Sequence, residues 1–181
     1  MIGCSKDDLR GALDKAKTQT EAMTKRAGES VTAAAETVLP ESGHIDLRWA
    51  QPDHPLASVQ PRRASIEVIA IGPGRPQVVH ITNMDRPVDQ AGYPRVLLVG
   101  STPHRSMDQL AGTTMKCQLY VQAGESQVAI SAAGQTSQVS FGGINTKDQT
   151  ISATLSLSRL VDADGQEVVI SGGDVVARIR S

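Results

Sequence analysis

The sequence predicts a mainly β protein: an antiparallel β-sandwich, immunoglobulin-like or similar and built of consecutive hairpins, preceded by an N-terminal α-helix. Two observations carry this. Apolar residues recur with helical period up to Pro40 and with period two after Gly43. In the last third of the chain, short alternating segments are separated by turn-rich peptides with no room for a helical crossover.

Residues 1–5 form a short leader, 6–39 a helical segment and 43–181 the β domain. Over 6–39, Leu9, Leu13, Ala16, Thr20, Met23 and Ala27 fall in steps of four and three, and Val31, Ala34 and Val38 resume after a shifted step. Ser5 with Asp7 and Asp8 suits a helix start, where a side-chain oxygen caps free N–H groups and acidic groups meet the positive end of the dipole. Gly11 and Gly28 each cost about 1 kcal/mol relative to Ala. The stripe is narrow and rich in Ala and Thr, so the segment reads as a spacer; self-association through this helix is the alternative.

In the β domain, Ile45, Leu47 and Trp49 share one side of the first strand. Pro52, Pro55 and Pro61 punctuate a loop. Ser65 to Ile71 and Gln77 to Thr82 read as a hairpin around Gly72-Pro73-Gly74-Arg75-Pro76. Residues 83–93 read as a loop, and Val96-Leu97-Leu98-Val99 as a central strand buried on both faces. Met107 and Leu110 suit one helical turn. Met115, Cys117, Leu119 and Val121 share the buried face of a strand, which makes Cys117 a core thiol.

Further strands follow at 127–131, 138–141, 167–171 and 175–179, with Gly142-Gly143-Ile144-Asn145 and Gly172-Gly173-Asp174 taken as turns. Between them, Ile151, Ala153, Leu155, Leu157 and Val161 are assigned to the buried face of one strand. Asp162-Ala163-Asp164-Gly165 is a hairpin turn; it lacks the further spaced oxygen ligands of a calcium loop.

Composition narrows the function. The 181 residues carry 18 Lys+Arg against 19 Asp+Glu, a net charge of -1, so no field draws the chain to nucleic acid. One Trp, two Tyr and one Phe leave little for stacking bases or sugars. No Gly-x-Ser-x-Gly elbow or phosphate loop occurs, and no cofactor is expected. His44, Asp46 and His54 are the candidate metal ligands and would serve a metal-dependent hydrolase. Surface His and Asp beside Pro-rich loops are the commoner meaning of such a group, so the expectation is a protein that is not an enzyme. Arg48, Arg62 and Arg63 read as solvated charge. The loop 83–93 and the stretch around His104 are the expected binding surfaces, because loops on a rigid scaffold carry function.

Ile2-Gly3-Cys4-Ser5 resembles the end of a bacterial lipobox. The charged and apolar regions of a signal peptide do not precede it in this sequence. The resemblance implies that Cys4 becomes the first mature residue and carries acyl chains. Each buried CH₂ of such chains contributes about 0.8 kcal/mol to membrane attachment. Ser5, in the sorting position, then favours the outer membrane of a Gram-negative cell. The expectation is a periplasmic envelope lipoprotein held to the membrane through Cys4, whose β domain contacts another envelope protein. A structural subunit oligomerising through the helix is the rival.

Overall fold

The computed structural model describes residues 43–84 and 92–180. The leader with Cys4 and the helical segment 6–39 lie outside the described residues. Among the described residues there are ten strands: β1 (Gly43–Trp49), β2 (Ser65–Ile69), β3 (Gln77–Thr82), β4 (Arg95–Thr102), β5 (Thr114–Gln122), β6 (Val128–Ser131), β7 (Ser137–Asn145), β8 (Thr150–Leu155), β9 (Ser158–Asp162) and β10 (Glu167–Ile179). Helix among the described residues is confined to a 3-10 turn, Pro55–Ser58, and one α-helical turn, α1 (Met107–Leu110).

The strands close into a barrel of seven, which corrects the expected sandwich. β2, β3, β4 and β5 form an antiparallel meander. Next comes a composite strand, for β5 pairs with β6 through residues 120–122 and with β7 through residues 114–117. Its neighbour is composite too: β8 pairs with β7, and β9 with β6. β10 then pairs with both β8 and β9. An odd number of alternating strands brings the last parallel to the first, and the seam is indeed the parallel pair β10 with β2, Arg178 opposite Ser65 and Ile179 opposite Ile66. β1 runs antiparallel along β10, from Gly43 opposite Ala177 to Trp49 opposite Ile170.

The sandwich expectation failed at the glycine pairs. Gly142 and Gly143 sit within β7, at a register shift between Phe141 and Ile144. Gly172 and Gly173 lie in the interior of β10, where the β1 register also slips between Arg48 and Trp49. These are bulges that bend continuous strands, and bent strands are what closure into a small barrel requires. Gly173 is there for proximity: a Cβ on it would lie 2.6 Å from the Asp46 carbonyl oxygen of β1.

Inward positions alternate with outward ones along each strand. Val79, Ile81, Val96, Leu98, Leu119, Val121, Val139, Leu160 and Ile170 are buried to 1% exposure or less and fill the interior. Leu110 of α1, with Leu56 of the 3-10 turn and Val59 just after it, joins the same core. Burying each Leu or Ile stabilises the fold by about 1.5–3 kcal/mol. Cys117 lies in this core, and desolvation pushes its thiol up to about 12.

Two further expectations change. The Val96–Val99 run is buried on one face only, since Leu97 and Val99 point out of the barrel wall and are half-buried. The strand expected across 151–161 breaks between β8 and β9, which exchanges faces: Leu157 is 57% exposed, while Ser158 and Leu160 turn inward.

Candidate functional site

The outer wall carries an apolar row across three strands. Leu97 on β4 is the register partner of Tyr120 on β5, and Tyr120 of Ile130 on β6. Val99 lies two positions along β4, opposite Gln118. With Leu119 and Ser131 these residues line a groove of about 250 Å³.

The groove follows from the composite strand. Between the segments that pair with β7 and with β6, Gln118 and Leu119 of β5 have no strand partner on that side. Side chains supply the missing bonds: Leu119 N–H donates to Ser131 Oγ at 2.8 Å, and Gln118 Nε2 donates to the Gln135 carbonyl at 3.2 Å. The wall is thus notched where β6 gives way to β7, and Leu97, Val99, Tyr120 and Ile130 surround the notch. Tyr120 donates its hydroxyl to Gln122 Oε1 at 2.6 Å, which leaves its ring as the contact surface. Ile130 is 52% exposed. No charged side chain lines the groove.

A second cluster joins the 3-10 turn to the β9–β10 hairpin. His54 caps the turn, its Nδ1 accepting the Leu56 N–H at 3.3 Å, and its ring stacks on Trp49 with centroids 6.2 Å apart. A neutral imidazole whose Nδ1 accepts carries its proton on Nε2, and that nitrogen faces Asp162 Oδ2 at 3.6 Å. Asp162 is held in turn, its Oδ1 accepting the backbone N–H of Gln166 at 2.8 Å and of Asp164 at 3.0 Å. The Gln166 bond is the main cause that lowers the Asp162 carboxyl below its ordinary range; desolvation opposes it, and Asp164 and His54 add to the lowering. A cleft of about 160 Å³ lies beside the pair, lined in part by Ser126, Gln127 and Asp164. Each imidazole nitrogen thus faces a partner within the chain, the Leu56 N–H or the Asp162 carboxylate. The cluster is a clasp.

The sequence-derived metal group does not assemble. His44 and Asp46 do share the outward face of β1, but His54 belongs to the clasp, and among the described residues no three His, Cys, Asp or Glu side chains come together to hold an ion. Arg48 pairs with Asp174. The loop 83–93 is described only at its ends, where Asn83 clamps the entry to β4: its Oδ1 accepts the Val96 N–H and its Nδ2 donates to the Pro94 carbonyl, both at 2.7 Å. His104, in the other expected binding stretch, follows β4, its N–H bonded to Thr102 Oγ1 at 3.3 Å.

The groove was missed because its residues belong to three separate segments of sequence. The one signal was Val96-Leu97-Leu98-Val99, whose two extra apolar side chains were assigned to a second buried face and instead lie on the wall. Asp162 entered the sequence reading only as a turn residue, and its His54 contact spans 108 positions (162 minus 54).

Fold and site together define a small closed β-barrel with a filled interior and an apolar groove in its wall. The chain matches no family model, no curated protein and no solved structure. Among the described residues no helix is long and apolar enough to cross a membrane.

Proposed function

We propose that the chain is a non-enzymatic envelope lipoprotein, tethered through acyl chains on Cys4, whose barrel binds another envelope protein through the Leu97–Val99–Tyr120–Ile130 groove. The observation that carries the binding role is the placement of an uncharged apolar row on the outside of a barrel whose inside is already filled. Small-molecule barrels keep a cavity within; here the accessible apolar surface is on the wall. The tether rests on the resemblance of Ile2-Gly3-Cys4-Ser5 to a lipobox, and periplasmic location follows from the same residues.

Two measurements test the two halves. A photo-crosslinking amino acid at position 130, in cells that express the chain, yields one discrete adduct that is lost on Leu97→Lys, while the same label at exposed Ser152 of β8 yields none. Equal adducts at both positions would sink the groove as a specific surface. Mass spectrometry of the membrane-extracted protein finds acyl mass on the peptide bearing Cys4, and none in Cys4→Ser. An unmodified Cys4 peptide removes the tether and leaves the groove reading standing.

A further inference from the structure

We propose that His54 is a pH-sensitive clasp: neutral, its ring holds the 3-10 turn and the β9–β10 hairpin together, and on protonation it releases the turn while keeping the hairpin. The geometry makes the two states exclusive. In the neutral ring Nδ1 has a free lone pair, and that pair accepts the Leu56 N–H at 3.3 Å. The imidazolium carries a proton on each nitrogen and accepts nothing, so a proton on Nδ1 points at the Leu56 N–H. Nε2 is a donor in both states, and Asp162 Oδ2, 3.6 Å away, is its partner in both. Proton uptake therefore strips the cap from one side of the ring and sets opposite charges facing each other on the other side.

The surroundings suit this exchange. The backbone N–H groups of Gln166 and Asp164 hold the Asp162 carboxyl below its ordinary range, so it stays ionised while the ring changes charge. The other charged group along the cleft is Asp164, from the same hairpin. The segment before β6 presents Ser126 and Gln127, both uncharged, and β1 presents the stacked Trp49 ring. On the ring's own segment, Asp53 is exposed. Among the described residues no Lys or Arg lines the cleft, so no cation there competes for Asp162. The released group is a buried one: Leu56 is 1% exposed, and with Pro55 it forms one wall of the cleft. A buried N–H without an acceptor is costly, which drives the start of the turn toward water. The Ala57 N–H keeps its bond to the His54 carbonyl at 2.8 Å, so the turn shifts without unravelling, and the cleft widens.

Nuclear magnetic resonance of the intact chain from about pH 8 to about pH 5, the span in which imidazoles as a class change charge, tests this. The expected result is that protection of the Leu56 amide against exchange falls about tenfold, the scale of one lost cap, with the same midpoint as the His54 ring signals. Trp49 is the one Trp of the chain, and its fluorescence changes with that midpoint because the ring stacked on it gains charge. In His54→Asn, which keeps a capping oxygen and cannot take up the proton, Leu56 is equally protected at both ends of the range. Should that variant not fold, the Val79 amide of β3 in the natural protein is the reference, its protection constant while that of Leu56 falls. A His54 ring that titrates while Leu56 keeps its protection overturns the proposal, as does a ring that stays neutral to the acid end of the range. An equal fall in His54→Asn, or at Val79, also overturns it by placing the pH effect on another group.

Discussion

At the scale of single residues, the structure separates glycines that the sequence makes look alike. Gly143 and Gly173 each belong to a glycine pair in a bulged strand, yet a Cβ on Gly143 meets nothing within 4 Å, whereas one on Gly173 meets the Asp46 carbonyl of β1 at 2.6 Å. Gly173→Ala is expected to push β1 from β10 and to lower stability by about 1–3 kcal/mol, the usual penalty of overpacking, while Gly143→Ala stays within about 0.5 kcal/mol. Urea midpoints of the two variants check this, and equal midpoints would refute the close-approach explanation. Asp162 gives a pH dependence. Its carboxyl titrates below the ordinary range when folded, so its contribution to stability is complete above the unfolded pKa of ~3.9 and is lost as pH falls through the lower folded value. The gap in urea midpoint between the natural protein and Asp162→Ala should be constant near neutrality and close as the pH drops below ~4. A gap that persists undiminished in acid would show that the charge of Asp162 is not what the turn depends on.

Among the elements, the 3-10 turn after β1 depends most on one side chain. His54 supplies its cap, a stacking partner for Trp49 and a contact to the β9–β10 hairpin. His54→Ala should cost about 1–2 kcal/mol, and His54→Asn, which keeps a capping oxygen, should recover part of that. Thermal unfolding of both variants decides; a neutral alanine would mean that the clasp holds nothing. Strand existence was legible because alternation needs only neighbouring residues: β1, the β2–β3 hairpin, β5 and α1 stand where the periodicity put them. Strand continuity was not. Gly142-Gly143 and Gly172-Gly173 carry the composition of turns, and whether a glycine pair reverses a strand or merely bends it depends on whether neighbouring strands keep their pairing on both sides. Likewise, the break at Ser156–Leu157 flips the later side chains to the other face, which a reading of strict period two cannot foresee.

For the whole molecule, sandwich and barrel draw on the same strands, and the difference is the single parallel seam of β10 with β2. That contact joins residues more than a hundred positions apart and has no local signature. The groove depends on the same global arrangement, since Leu97, Tyr120 and Ile130 form a row only once β4, β5 and β6 are in register. Cys117 offers a test of the closure as a unit. It lies inside at 1% exposure, with its thiol pushed up to about 12, so it is shielded and almost wholly protonated near neutrality. In a Cys4→Ser background, where only Cys117 remains, a thiol reagent should label it no faster than the barrel unfolds. The labelling rate should then be independent of reagent concentration at high reagent, equal to the unfolding rate measured by circular dichroism. Leu119→Ala, which removes a fully buried neighbour on the same inward face, should destabilise the fold by about 2–5 kcal/mol and raise labelling in step with unfolding. Labelling that outruns unfolding in the Cys4→Ser protein would mean that the wall opens locally beside β5. The seven strands would then not behave as one cooperative closed structure.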